Sequence, residues 1–249
     1  MAGLTAATFA RDGYRGPSQA LEGRHGFRQA YAPAPDPGPI VEGIGSEFET
    51  MATGIKPYPS CRYGHAGIDA VLELRSELGL DPSEIESVTY GLSNSGLLLV
   101  GEPVQTKQNP TNVVGAQFSA PFVLSAALLT GSMGWDSYAL LNDPALRSML
   151  PRVHCEHDLE IEAEIPTNMS GKITIRARVT SFTRKVVVPL GEPSNFLSQD
   201  ALLAKFENLA EPVLGSMWRD LADAALNLDQ LSEISALTRC ARPVLSGKR

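Results

Sequence analysis

Lys56, Arg62 and His65 fall within one ten-residue stretch, KPYPSCRYGH, and no acid lies among them. An ammonium, a guanidinium and an imidazole in one place suit a carboxylate ligand. The two cations hold it by charge-assisted hydrogen bonds, and the imidazole moves or orients a proton beside it. Pro57 and Pro59 restrict the backbone between them, and Pro59 also limits Tyr58, so the turn is stiff. The stretch leads into a helical pattern. A helix start favours anions, so cations placed there work against the helix and point to another task. The alternative is a solvated turn with Lys56 exposed. Both readings stand at this point.

Other candidates are weaker. HCEH, residues 154–157, has alternating strand spacing. That puts His154 and Glu156 on one face and Cys155 and His157 on the other, a poor start for a closed zinc site. A surface strand fits better, and no metal is expected. KQNPT places Lys107 and Thr111 either at the mouth of a cleft or merely in a loop. No glycine-rich nucleotide fingerprint follows a strand, and no Gly-x-Ser-x-Gly is present. The three cysteines, Cys61, Cys155 and Cys240, are odd in number and widely spaced, so a disulfide framework is not expected. The reducing cytoplasm is the expected compartment.

The net charge of −7 leaves no broad basic surface for nucleic acid, although it permits a local anion site. The longest apolar run, FVLSAALLTG, is far short of a membrane span. The opening residues lack the pattern of a signal peptide. With 43% apolar residues, a chain of 249 can bury a full core without disulfides or metal.

The elements that must position the turn follow from periodicity. The first thirty or so residues are Ala-rich and helical in pattern, with Ala6, Phe9 and Ala10 on one face and a second helix expected from Pro17. APAPDPGPIVEG is a Pro-rich connector. FETMATGIKPYP reads as extended. An amphipathic helix runs from Tyr63 to Leu78 and stops at Gly79. DPSEIESVTYGL is a turn and a strand. GAQFSAPFVLSAALLTG is a buried helix closed by Gly131, and DSYALLNDPALRSML gives two short helices, the second begun by Asn142 or Asp143. VHCEHDLEIEAEI, GKITIRARVTS and TRKVVVPLG alternate as strands of a half-exposed antiparallel sheet, with Ile173, Ile175, Ala177 and Val179 on one face. Ser198 caps the next helix, and helices close the chain. The expected class is α+β, with a mixed middle between helical ends.

Taken in order, GYRGPSQALEGRHGF, IKPYPSCRYGHAGIDAVLELR, NPTNVVGAQFSAPFVLSAALLTG and PLGEPSNFLSQDALLAKFENLAEPVLG resemble the MmgE/PrpD family, which includes 2-methylcitrate dehydratases, cis-aconitate decarboxylases and iminodisuccinate epimerases. The resemblance implies a helical domain with an inserted α+β lid. Residues 1–43 and 191–249 would belong to the helical domain and 44–190 to the lid. It implies cofactor-independent removal of a proton, water or CO2 next to a carboxylate of a small di- or tricarboxylate. No metal or organic cofactor is needed, and homodimers are typical. Lys56 matches the lysine that opens the lid motif, and Lys56 and His65 take the catalytic roles. Arg62, Cys61 and Lys107 border the substrate. At Cys61 the chain departs from the cis-aconitate decarboxylases, where the resemblance places a histidine. Family members are about twice as long, so the N-terminal half of the helical domain is expected from a partner chain. The alternative is an inactive fragment that serves as a binding or structural subunit.

Overall fold

The computed structural model describes residues 1–32 and 42–242. Most of the Pro-rich connector lies outside them. The chain divides into two compact units, Met1–Ala52 and Thr53–Arg249.

In the first unit one helix, Ala2–Arg11, buries none of its residues. Leu4 and Phe9 are 75% and 54% exposed, so the expected apolar face is unpaired within this unit. No helix begins at Pro17. Residues 18–26 instead form successive turns, with Gly23 N donating to Gln19 O and Gly26 N to Gly23 O, and only Phe27–Tyr31 is helical. Four glycines between residues 13 and 26 explain the loss, since glycine gives up the most backbone entropy in a helix. The stretch read as extended before the turn contains a 3-10 turn at Glu49–Ala52.

The second unit holds a four-stranded sheet in the order β2-β1-β3-β4. Its strands are β1 (Ile85–Leu92), β2 (Val153–His157), β3 (Gly171–Ala177) and β4 (Thr180–Val186). The sheet is mixed rather than antiparallel: β1 runs parallel to β2 and antiparallel to β3, and β3 and β4 form a hairpin. Parallel neighbours need a long crossover. Here it contains the Ala120–Thr130 helix, whose residues from Ala120 to Leu128 are all buried. That helix and the His65–Leu78 helix pack on the sheet and on each other.

Alternation was legible in β3. Ile173, Ile175 and Ala177 are fully buried, while Lys172, Thr174 and Arg176 lie on the outer face. Val179 does not continue the buried row. It forms the hairpin turn with Arg178, both at positive φ, and is 87% exposed. The segment after β2 is not strand, because Asp158 caps a one-turn helix, Leu159–Glu162. The other stop signals hold. Gly79 and Gly131 end their helices at left-handed φ, Asp143 rather than Asn142 caps Pro144–Met149, and Ser198 caps Gln199–Leu214. Among the described residues, no helix is long and apolar enough to cross a membrane.

The first turn of the His65–Leu78 helix lies close over β1 because Gly67 has no side chain. Gly67 N donates to the Tyr90 hydroxyl at 3.1 Å, and that hydroxyl donates to Tyr63 O at 2.7 Å. A methyl at position 67 would lie 2.7 Å from Tyr90 Cζ and 3.0 Å from Leu124 Cδ2. Gly67→Ala is therefore expected to destabilise the fold by about 2 kcal/mol, as an overpacked core site. Urea unfolding checks this, and a neutral result would show that the helix slides freely on the sheet.

Candidate functional site

The Lys56–His65 turn is pinned from several sides. Ile55 N donates to Gly191 O at 2.8 Å, Cys61 N to Gln117 O at 2.9 Å, and the Tyr138 hydroxyl to Pro59 O at 2.7 Å. Gly191 is at φ 90°, and a side chain there would collide with the Ile55 carbonyl. Only glycine meets both demands.

Within the turn, hydrogen bonds link the three predicted groups. Lys56 Nζ donates to Ser60 O at 3.3 Å, and His65 Nε2 lies 3.4 Å from the same oxygen. Arg62 approaches His65 Nδ1 at 2.9 Å. A guanidinium only donates, so Nδ1 is the acceptor and Nε2 carries the proton. His65 is fully buried. Burial, reinforced by the Arg62 charge, pulls its pKa down to about 3, so the imidazole is neutral at physiological pH. The guanidinium of Arg62 also pairs with the Glu192 carboxylate.

Behind the turn, Asp69 accepts from the Tyr58 hydroxyl at 2.6 Å and from Leu190 N at 2.7 Å. Burial holds its carboxyl above the usual carboxylate range, against the opposing hydrogen bond from Tyr58. Burial also raises the Tyr58 pKa, with the Asp69 charge next in effect. The Tyr58 ring meets His65 edge-on at 5.3 Å.

In front of the turn lies a groove of about 800 Å3, and Lys56, Tyr58 and Pro59 line it. Ala201, Ala204, Lys205 and Asn208, one face of the Gln199–Leu214 helix, line it as well. The groove also takes in Gly131 to Asp136, including the half-exposed Trp135. Lys205 Nζ donates to Lys56 O at 2.7 Å. Among the described residues, neither Lys56 nor Lys205 has a carboxylate partner within ion-pair distance.

The structure thus brings Lys56, Arg62 and His65 together but gives them different surroundings. Lys56 faces the groove, whereas Arg62 and His65 are engaged behind the turn. Lys107 does not line the groove. Its amine donates to Leu99 O at 2.6 Å and Phe118 O at 2.8 Å, and burial lowers its pKa. Cys61 is half-buried against the core and is likewise not a lining residue. The HCEH strand splits its faces as its alternation implies: His154 is exposed, and Cys155 is half-buried with its thiol pushed up to about 12 by burial. His157, at the strand end, pairs with Glu162.

Sequence reasoning missed Asp69, Glu192 and Lys205. Asp69 had a signal, four residues after His65 and so on the same helix face. Glu192 and Lys205 had none, since nothing in their local sequence ties them to a turn more than 120 residues away.

Comparison with known proteins places this geometry. The chain is 24% identical over 255 residues to a cis-aconitate decarboxylase of Aspergillus terreus, covering 94% of this chain and 51% of that protein. It is 24% identical over 211 residues to a second cis-aconitate decarboxylase, from Aspergillus terreus strain NIH 2624, covering 80% of this chain and 42% of the relative. The chain spans about half the length of the curated relatives it matches. Residues 58–230, which hold most of the turn, the whole sheet and the groove-lining helix, match the MmgE/PrpD C-terminal domain, and the chain belongs to the MmgE/PrpD family.

Proposed function

We propose that this chain supplies the carboxylate-holding part of a lyase-type enzyme acting on a small di- or tricarboxylate. The observation that carries the reading is Lys56. Lys56 is exposed and lines a concave surface, and among the described residues its ammonium has a single backbone carbonyl, Ser60 O, as partner. An ammonium so placed has donors to spare and gains most from an anion. Family membership and the names of both relatives support the reaction class.

In this reading a substrate carboxylate docks on Lys56. When a bond next to a carboxylate breaks, its electron pair passes into an enediolate-like system, and the nearby cation stabilises that charge more in the transition state than in the ground state. In a decarboxylation the C–C bond to CO2 breaks and the carbon then takes a proton. Loss of water and epimerisation share the same charged intermediate. His65 serves as a positioning residue: its one N–H is directed to Ser60 O, its other nitrogen holds Arg62, and its low pKa makes it a weak base. The acid and base that act on the substrate come from the half of the relatives that this chain does not span. That half is contributed by a longer chain or by a partner chain, with residues 44–190 as the lid. No organic cofactor is required.

Titration of the chain with citrate and cis-aconitate should show saturable binding. Addition of the missing half should give release of CO2 or water from such an acid. Binding without turnover, even with that half present, would favour the alternative of an inactive binding subunit. Absence of binding to either acid sinks the proposal.

A further inference from the structure

Resting on that reading of the groove, we infer that Lys205 is a second carboxylate anchor, and that it sets the preference for acids with two or more carboxylates over acids with one.

Lys205 lies on the face of the Gln199–Leu214 helix that lines the groove, and its neighbours on that face, Ala201 and Ala204, are small and leave room above the backbone. Its ammonium reaches the main chain of Lys56 itself, 2.7 Å from the Lys56 carbonyl. One N–H is spent on that bond and two remain. Lys56 is in the same position, with one donor directed to Ser60 O. The lysines therefore bring two ammonium groups to the main chain of one turn, at Lys56 O and Ser60 O, with no carboxylate on either among the described residues. Both charges lower the pKa of buried His65, after burial itself and the Arg62 charge. Like charges held together in this way repel, and an anion between them removes the repulsion.

The rest of the lining is mostly apolar: Pro57, Leu72, Met133 and Leu197 among others. The one acid in it among the described residues, Asp136, belongs to the Gly131–Asp136 segment rather than to the lysine-bearing elements. A ligand with a short carbon backbone and a carboxylate for each lysine satisfies both charges at once. A monocarboxylate satisfies one and leaves the other with its backbone bond alone.

A structural role must be separated from this one, because the Lys205 ammonium also ties the turn to the helix. Lys205→Gln keeps an N–H donor for the Lys56 carbonyl and removes the charge, while Lys205→Met removes both. Affinities for citrate, succinate and acetate are read from the fluorescence of Trp135, which lines the groove, and by calorimetry, with Tm measured for each variant. Both variants are expected to lose about 10-fold or more in citrate affinity, to bind acetate almost as the unaltered chain does, and so to lose most of the preference for polycarboxylates. The salt dependence of citrate binding should also weaken. If Lys205→Gln binds citrate normally, the ammonium is only a tie and the inference fails. If Lys56→Met abolishes citrate binding while both Lys205 variants retain it, the inference fails and the reading of the groove survives. If the unaltered chain binds none of the acids, both fail together.

Discussion

Lys56→Ala is expected to weaken binding of citrate or cis-aconitate by about 10- to 100-fold, the loss of one charge-assisted hydrogen bond to a carboxylate. When the chain is combined with the half of its relatives that it does not span, turnover should fall by about 100-fold or more if, as proposed, the same ammonium stabilises charge that grows in the transition state. Stability should change by less than about 0.5 kcal/mol, since Lys56 is exposed and its bond to Ser60 O is long. The contrast between a large functional effect and a small structural one carries the test. Calorimetric titration, a turnover assay and urea unfolding on the same preparations measure it. Unchanged anion affinity together with unchanged turnover would reduce the turn to a stiff connector.

His65→Gln should remove a large part of the acid sensitivity of the fold. The folded-state pKa of His65 is about 3, far below the ordinary histidine value, chiefly through burial. Between these two values the unfolded chain binds a proton that the folded chain refuses. Stability therefore falls as pH drops from about 6.5 toward 3, and this one group costs on the order of 3 kcal/mol between pH 7 and 4. Gln retains a donor and an acceptor without titrating. The variant loses some packing at pH 7, but its unfolding free energy should decline much less steeply over the same window. Arg62, although burial lowers its pKa, stays charged throughout. Asp69, whose pKa burial raises, gives a change of opposite sign in both proteins and cancels in the difference. Parallel slopes for the two proteins would show that His65 is not held neutral.

Local patterns carried far in this chain where each element's stop signal lies beside it. Gly79, Gly131, Asp143 and Ser198 mark boundaries that the structure keeps, because a left-handed residue or a capping oxygen acts within one turn of itself. Alternation located β3 for the same reason, and β4 in part: that strand starts at Thr180, inside the first alternating run, and stops at Val186, short of the end of the second. It could not reveal that β1 and β2 are parallel, since the direction of pairing depends on the path of the chain between them. It also overran β2, where Asp158 captures the backbone N–H groups of Glu160 and Ile161. The site divides similarly. Lys56, Arg62 and His65 were legible because one rigid turn carries them. The uses to which Arg62 and Lys107 are put were not, because their partners are a distant carboxylate and two main-chain carbonyls.

The groove's fastenings have a temporal side. Arg62 meets Glu192 across 130 residues of chain, and Lys205 meets Lys56 across 149. The entropy of closing such loops must be met before either contact returns anything, so these contacts form late, after the hairpin and the helix on the sheet. During synthesis the turn, already able to meet Gln117 and Tyr138, lacks these two fastenings until Glu192 and Lys205 have left the ribosome. For that interval the Arg62 guanidinium is without its carboxylate and open to any acidic surface nearby. In the finished protein the same order runs backwards. The loop around Glu192 is the part that can open with the sheet still intact, so hydrogen exchange at Ile55 should be faster than at Tyr90.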